Sequence, residues 1–145
     1  MRVILISVIV VTFSIQHIVT KNFTRCGLAK ELLRQGFPES QLKIWVCLVE
    51  AESSRRTGVV GGPDDDGSYD YGLFQINDRY WCNSGATPGK GCDVRCKDLL
   101  SDDITVASVC AKKIYRQQGF PAWLGWKNEC HGRALPSLDT CMGYR

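Results

Sequence analysis

Residues 67–77 read Gly-Ser-Tyr-Asp-Tyr-Gly-Leu-Phe-Gln-Ile-Asn. Aromatic and other strand-favouring residues dominate this segment. The preceding residues 61–67 are dense in glycine, proline and aspartate, which favour tight turns. Together the two segments predict a small antiparallel sheet with tight turns, and we expect Asp64, Asp65 and Asp66 to serve turn formation.

Helical patterns flank the predicted sheet on both sides. Apolar residues recur at helical spacing in residues 25–36 and in residues 40–54, where Ser40 is the expected N-cap. Ser101 is expected to cap a third helix over residues 102–118, which has acids in its first turn and bases toward its end. Helices before and after a small sheet predict an α+β domain whose sheet forms its own lobe. The cleft between two lobes is where we expect a ligand.

The N-terminal segment has the pattern of a secretory signal peptide. Arg2 precedes an apolar run at residues 3–11, which is shorter than the about 20 apolar residues that span a bilayer. An uncleaved membrane anchor is the alternative, and the short run disfavours it. We therefore predict a signal peptide over residues 1–20 and one secreted domain over residues 21–145.

The charge of the chain gives no support for nucleic-acid binding. The 145 residues carry a net charge of +3, which falls to +2 without residues 1–20, because that segment holds Arg2 and no acid. No basic run of the kind that binds nucleic acid is present. A low charge on a cross-linked domain also disfavours a membrane-lytic helix. We predict a monomer with no nucleic-acid partner and no stable membrane insertion.

All eight cysteines follow the predicted signal peptide. An even number in a small secreted domain predicts four disulfides, although the spacing alone leaves the pairing open. A zinc site at Cys92 and Cys96 is the alternative. It is disfavoured because the secreted part contains a single histidine, His131, and enters an oxidising compartment.

Carboxylates are the candidate catalytic groups. With His131 as the one histidine of the secreted part and all thiols paired, a histidine-based nucleophilic triad is excluded, and phosphate-binding glycine motifs are absent from the sequence. Glu52 shares a helix face with Leu48 and Val49, so burial there would raise its pKa. Glu50 is the rival, and a solvated helix-end acid is the alternative for either residue.

Asp70 is the candidate partner, because aspartate is disfavoured in strands and its presence there needs a reason. Glycoside hydrolysis requires two carboxyl groups, one kept neutral by apolar surroundings and one kept ionised by polar ones. A turn-flanking aspartate is the alternative for Asp70. Aromatic side chains could cover sugar faces, although we expect core packing for at least two of the four candidates. These four are Tyr80, Trp81, Trp123 and Trp126.

Several motifs resemble those of the c-type (chicken-type) lysozymes, a family that also includes the non-hydrolytic α-lactalbumin. The resemblance covers nearly all of residues 21–145, includes the spacing of the eight cysteines, and is greater to arthropod members than to vertebrate ones. The matching motifs are Arg25-Cys-Gly-Leu-Ala-Lys, Trp45-Val-Cys with Glu52-Ser53, the whole of residues 67–77, Trp81-Cys-Asn, Asp103-Ile-Thr and Cys110-Ala-Lys-Lys-Ile.

The resemblance implies a two-lobed fold with a deep sugar cleft, in which Glu52, rather than Glu50, is the general acid and Asp70 the second carboxylate. It implies a retaining glycosidase that cuts β-1,4 bonds between N-acetylmuramic acid and N-acetylglucosamine in bacterial peptidoglycan, or in related N-acetylglucosamine polymers, for defence or digestion. The alternative is a non-catalytic sugar-binding or regulatory protein on the same fold. The implied substrate contacts are Asn77, Tyr80, Trp81, Ala122 and Trp123.

The resemblance also implies the disulfide pairing and the absence of a metal. Ser101, Val106 and Ala107 occupy positions where this chain departs from calcium-binding relatives. We therefore predict no calcium, no other metal and no cofactor. The implied disulfides are Cys26–Cys141, Cys47–Cys130, Cys82–Cys96 and Cys92–Cys110.

Overall fold

The computed structural model describes residues 20–141, so most of the predicted signal peptide lies outside the described residues. Within these residues two α-helices precede a small sheet and two follow it, which is the order expected for an α+β domain. Three short 3-10 helices accompany them, at Glu39–Gln41, Cys96–Leu100 and Phe120–Ala122. The α-helices are α1 (Arg25–Arg34), α2 (Leu42–Ser53), α3 (Thr105–Gln118) and α4 (Leu124–Glu129).

Two predicted helix starts are wrong. Ser40 lies inside the 3-10 helix that precedes α2 and caps neither helix with its side chain. The helix predicted from residue 102 begins instead at Thr105. Asp103 Oδ1 accepts the backbone N–H of Thr105 at 3.0 Å, whereas Asp102 Oδ1 accepts the hydroxyl of Thr57 at 2.6 Å. Both aspartates are therefore engaged before the first helical turn.

The sheet has three very short antiparallel strands, β1 (Val60–Gly61), β2 (Asp70–Tyr71) and β3 (Ile76–Asn77), in that spatial order. The register sets Asp70 opposite Gly61 on one side and opposite Asn77 on the other. Cross-strand neighbours lie within side-chain reach, so the sheet aligns the candidate carboxylate with an amide.

Trp45 joins the helical core to the segment between β2 and β3. This tryptophan of α2 is almost fully buried. Its ring lies edge-on to Phe74 at 6.1 Å between centroids and edge-on to Trp123 at 5.5 Å. Because protein interiors pack tightly, these contacts fix the distance between the helical side and the sheet side of the domain.

Four disulfides cross-link the described residues, and they are the pairs that the family resemblance implies. Cys26–Cys141 links the two ends of the domain across a separation of 115 residues. The others are Cys47–Cys130, Cys82–Cys96 and Cys92–Cys110. Within residues 20–141, every helix is too short or too polar to cross a lipid bilayer.

Candidate active site

A cleft of about 1080 Å³ separates the helical side from the sheet side. Glu52 from α2 and Asp70 from β2 both line it. All five predicted substrate contacts line the same cleft. The structure thus brings together the carboxylates and the contact residues that the sequence singled out. A cleft of this size accommodates an extended ligand.

Two buried hydrogen bonds hold the walls of the cleft together. Ser53, which follows Glu52 on α2, donates its hydroxyl to the carbonyl oxygen of Leu73 at 2.8 Å. The indole N–H of Trp123 donates to the carbonyl oxygen of the next residue, Phe74, at 2.9 Å. Both acceptors belong to the connection between β2 and β3. Losing either bond would leave a buried polar group unpaired, so the spacing of the walls is strongly determined.

Glu52 is partly buried at the end of α2, and burial raises the pKa of its carboxyl group above the usual range. The negative charge of Asp70 raises this pKa further. One donor acts in the opposite direction, because the backbone N–H of Gly125 in α4 donates to Glu52 Oε1 at 2.8 Å. The net direction is upward, which favours the neutral acid.

Asp70 has a more polar environment than Glu52, yet its pKa is also raised, to about 6. Burial is the largest cause. Asn77 lowers the pKa by donating its amide N–H to Asp70 Oδ1 at 3.0 Å, while the charges of Asp64 and Asp78 raise it. This outcome differs from the expectation that polar neighbours keep Asp70 ionised, because burial of its carboxyl group and the neighbouring acids Asp64 and Asp78 together outweigh the hydrogen bond from Asn77.

The amide of Asn77 is oriented by the backbone. Its Oδ1 accepts the N–H of Arg79 at 2.8 Å, so its Nδ2 must face the opposite direction. There it donates to Ser68 Oγ at 2.8 Å and to Asp70. The amide of Asn77 therefore already has its hydrogen-bond partners, one of which is Asp70, and the residue also lines the cleft.

The aromatic candidates divide between the surface and the core. Tyr80 is 61% exposed and is available to a ligand, whereas Trp81 is 9% and Trp123 is 4% exposed. Trp126 is absent from the residues lining the described cleft and stacks instead between Phe120 and His131. Trp81 and Trp123 thus form parts of the wall that also belong to the core, as expected for at least two of the four.

Sequence reasoning missed two groups in the cleft. Gly125 was missed because a glycine contributes only its backbone N–H, which no side-chain pattern reveals, and because α4 has just six residues. Asp64 was assigned to turn formation, yet its side chain lies beside Asn77 and Ser68 in the cleft. An acid in the turn between two strands is compatible with either role, and the sequence held no signal to separate them.

Comparison with known proteins agrees with this architecture. The profile of the C-type lysozyme/alpha-lactalbumin family matches residues 21–141. A lysozyme from Bombyx mori is 60% identical over 121 residues, which cover 83% of this chain and 87% of that protein. A lysozyme from Galleria mellonella is 56% identical over 121 residues, covering 83% of this chain and all of that protein. One from Hyalophora cecropia is 58% identical over 126 residues, covering 86% and 89%.

The chain belongs to the C-type lysozyme/alpha-lactalbumin family, and its high identity is to lysozymes of insects. It is a glycoside hydrolase of the lysozyme type. Both acids to which the family resemblance assigns roles, Glu52 and Asp70, line its cleft.

Proposed function

We propose that this chain is a secreted lysozyme that hydrolyses the β-1,4 bonds between N-acetylmuramic acid and N-acetylglucosamine in bacterial peptidoglycan. In this proposal Glu52 is the general acid and Asp70 is the second carboxylate of a retaining mechanism. The observation that carries it is the sharing of one cleft by two carboxyl groups with different hydrogen-bond partners.

The Gly125 N–H supports the role of Glu52 as the acid. A neutral carboxyl group accepts through its carbonyl oxygen and carries its proton on the other oxygen. Because Oε1 accepts the N–H of Gly125, the proton belongs on Oε2, from which it can pass to the glycosidic oxygen. The raised pKa keeps this proton available at higher pH than for an ordinary glutamate.

Asp70 is proposed to attack or stabilise the oxocarbenium-like centre that forms when the leaving group departs. Asn77 donates to Asp70 Oδ1, which leaves Oδ2 to face the anomeric carbon. Glu52, now ionised, then takes a proton from a water molecule whose oxygen attacks the anomeric carbon and displaces Asp70, so that the sugar is released with its configuration retained. Tyr80 and Trp81 are proposed to cover sugar faces along the cleft, with Asn77, Ala122 and Trp123 as further contacts.

Secretion is proposed from the N-terminal pattern and the disulfides. A signal peptide over residues 1–20 would deliver a lysozyme domain over residues 21–145 to an oxidising compartment, where four disulfides form and persist. We propose that the domain acts there as a monomer, without a cofactor. Its net charge of +2 would give weak attraction to an anionic cell wall.

The test is cleavage of a suspension of bacterial cell walls by the wild type and Glu52→Gln. Glutamine keeps the shape of the side chain but has no acidic proton, so we expect a loss of about 10²- to 10⁴-fold in rate. Glu50→Gln is the matched control and should retain the wild-type rate under conditions where it is folded. Equal rates for wild type and Glu52→Gln would refute the acid assignment. Wall binding without cleavage by the wild type would favour the sugar-binding alternative.

A further inference from the structure

Asp64 lies in the turn before β2, and it contributes to the hydrogen bonds of that turn through its backbone alone. Its N–H donates to the carbonyl oxygen of Ser68 at 2.9 Å, and its carbonyl oxygen accepts the N–H of Gly67 at 2.8 Å. The side chain contributes to neither bond. It lies instead in the cleft, with Oδ2 3.4 Å from Ser68 Oγ and 3.5 Å from Asn77 Nδ2.

A count of protons shows that neither neighbour, Ser68 nor Asn77, has a free hydrogen-bond donor for Asp64. Ser68 has one hydroxyl proton, and its shortest contact is to Asp66 Oδ1 at 2.5 Å. Asn77 has two amide protons, and its shorter contacts are to Ser68 Oγ at 2.8 Å and to Asp70 Oδ1 at 3.0 Å. All three protons are therefore committed to other acceptors. The carboxylate of Asp64 stands across the Asn77 amide from Asp70 without a strong donor.

The other acids near Asp70 have partners that Asp64 lacks. Asp78, which follows β3, accepts the N–H of Tyr69 at 3.0 Å and the hydroxyl of Tyr71 at 3.4 Å. Glu52 approaches from α2 and accepts the N–H of Gly125. Within residues 20–141, none of the ion pairs includes Asp64 or Asp70.

We propose that Asp64 is a positioning residue of the hydrolytic site, whose unneutralised carboxylate acts by charge on Asp70 and so sets the acidic limit of the reaction. The proposal rests on the proposed role of Asp70. In that role Glu52 must be protonated while Asp70 is ionised. A negative charge beside Asp70 favours the opposite arrangement, in which Asp70 holds the proton, and reduces the productive fraction as the medium becomes acidic.

The direction of the effect follows from the sign of the charge. Burial is the largest cause of the raised pKa of Asp70, which is about 6, and both the charge of Asp64 and a side-chain hydrogen bond between the two carboxyl groups raise it further. Removing that charge should lower this pKa by about half a unit to one unit, a modest shift because Asp64 is exposed and water screens it. The acidic limb of the pH–rate profile should then move to lower pH by the same amount.

The experiment measures the titration of Asp70 directly, by the ¹³C chemical shift of its carboxyl carbon, in the wild type and three variants. Asp64→Asn and Asp64→Ala both remove the charge, but only asparagine brings an amide that could donate to Asp70. Asp65→Asn is the matched control, because it removes the same charge from an exposed neighbour in the same turn. We expect the Asp70 midpoint to fall in both Asp64 variants and to stay near the wild-type value in the Asp65 variant.

The pH–rate profile for cell-wall cleavage by the same variants completes the test. An Asp70 midpoint that stays unchanged in both Asp64 variants would overturn the proposal. An equal fall in the Asp65 variant would do the same, because it would indicate a general charge effect. If the midpoint falls but the wild type cleaves no cell wall, the charge coupling stands and the proposed function fails.

Discussion

Glu50 and Glu52 lie two residues apart on α2, on different sides of the helix end, and their surroundings shift their pKa values in opposite directions. On one side, Glu50 Oε1 accepts from Arg25 Nε at 2.8 Å and from Arg55 Nη1 at 2.6 Å. Burial alone would raise the pKa of Glu50, but these two hydrogen bonds outweigh it and lower the pKa. On the other side, Glu52 faces the cleft with a single backbone donor, and its pKa is raised.

The contrast shows that burial does not decide the protonation of a carboxyl group until its partners are known. Both glutamates are partly buried, and burial raises both pKa values. Two guanidinium groups favour the charged form of Glu50. Glu52 has only a neutral N–H and a neighbouring carboxylate beside it, so its neutral form is favoured more than that of an ordinary glutamate. The side that lacks cations is therefore the one suited to supplying a proton.

Among the changes that keep both glutamates in place, the largest effect is expected from Gly125→Ala, which disturbs the Glu52 side alone. A Cβ atom at this position would lie 2.7 Å from Glu52 Oε1 and 3.1 Å from the Cβ of Ala51, so the carboxyl group must shift. We expect the rate of cell-wall cleavage to fall about 10- to 100-fold, because small displacements of a catalytic group are costly.

Lys127→Ala is the control for Gly125→Ala, since it changes an exposed residue of the same short helix. Thermal unfolding should show that the Gly125 variant is folded, as alanine is a better helix former than glycine. A cleavage rate within twofold of the wild type would indicate that Glu52 adapts without cost, and would remove Gly125 from the account of the acid.

The sequence predicts the position of the candidate acid on α2 better than it predicts the partners of the two glutamates. The apolar residues of α2 place Glu52 on a face with Leu48 and Val49, and this helix spacing is a local property that the sequence encodes directly. Apart from Arg55, the partners of the two glutamates are distant in sequence. Arg25 lies 25 residues before Glu50, and Gly125 lies 73 residues after Glu52. Periodicity carries no information about such contacts, so the candidate acid was predictable while its environment was not.

The overall fold was predictable because it depends on local signals in the sequence, whereas its details depend on contacts that form only in the folded chain. Helix periodicity, strand-favouring residues and an even number of cysteines each mark a feature that depends on nearby residues or on composition. The predicted helix starts at Ser40 and Ser101 were wrong, because Ser40 makes no capping hydrogen bond and Ser101 Oγ accepts the N–H of Asp103, two residues before α3 begins. The raised pKa of Asp70 depends first on burial of its carboxyl group and then on Asp64 and Asp78, and only the folded chain provides these surroundings.

The next effect concerns the stability that Glu50 contributes. Its pKa is lower in the folded chain than the usual 4.5, so its stabilisation is complete above that pH and is lost as the pH falls through the folded value. We expect Glu50→Gln to lower the free energy of unfolding by about 1–2 kcal/mol at neutral pH, since its charge-assisted but partly exposed bonds with Arg25 and Arg55 weaken. Urea denaturation at neutral pH and in strong acid measures the difference, which should shrink in acid. An equal loss at both pH values would attribute the effect to packing instead.

The smallest effect has the opposite sign and comes from Glu52→Gln at neutral pH. The folded pKa of Glu52 is raised, so the folded chain is favoured while the carboxyl group is protonated and loses stability as the pH rises from 4.5 through the folded value. Glutamine stays neutral and can still accept the N–H of Gly125, so this loss disappears. We expect Glu52→Gln to raise the free energy of unfolding by about 0.5–1 kcal/mol at neutral pH and to match the wild type in acid. Urea denaturation of both glutamine variants under the same conditions compares the two sides directly. A destabilisation of Glu52→Gln similar to that of Glu50→Gln would mean that the cleft stabilises a charged Glu52, which is incompatible with its role as a proton donor.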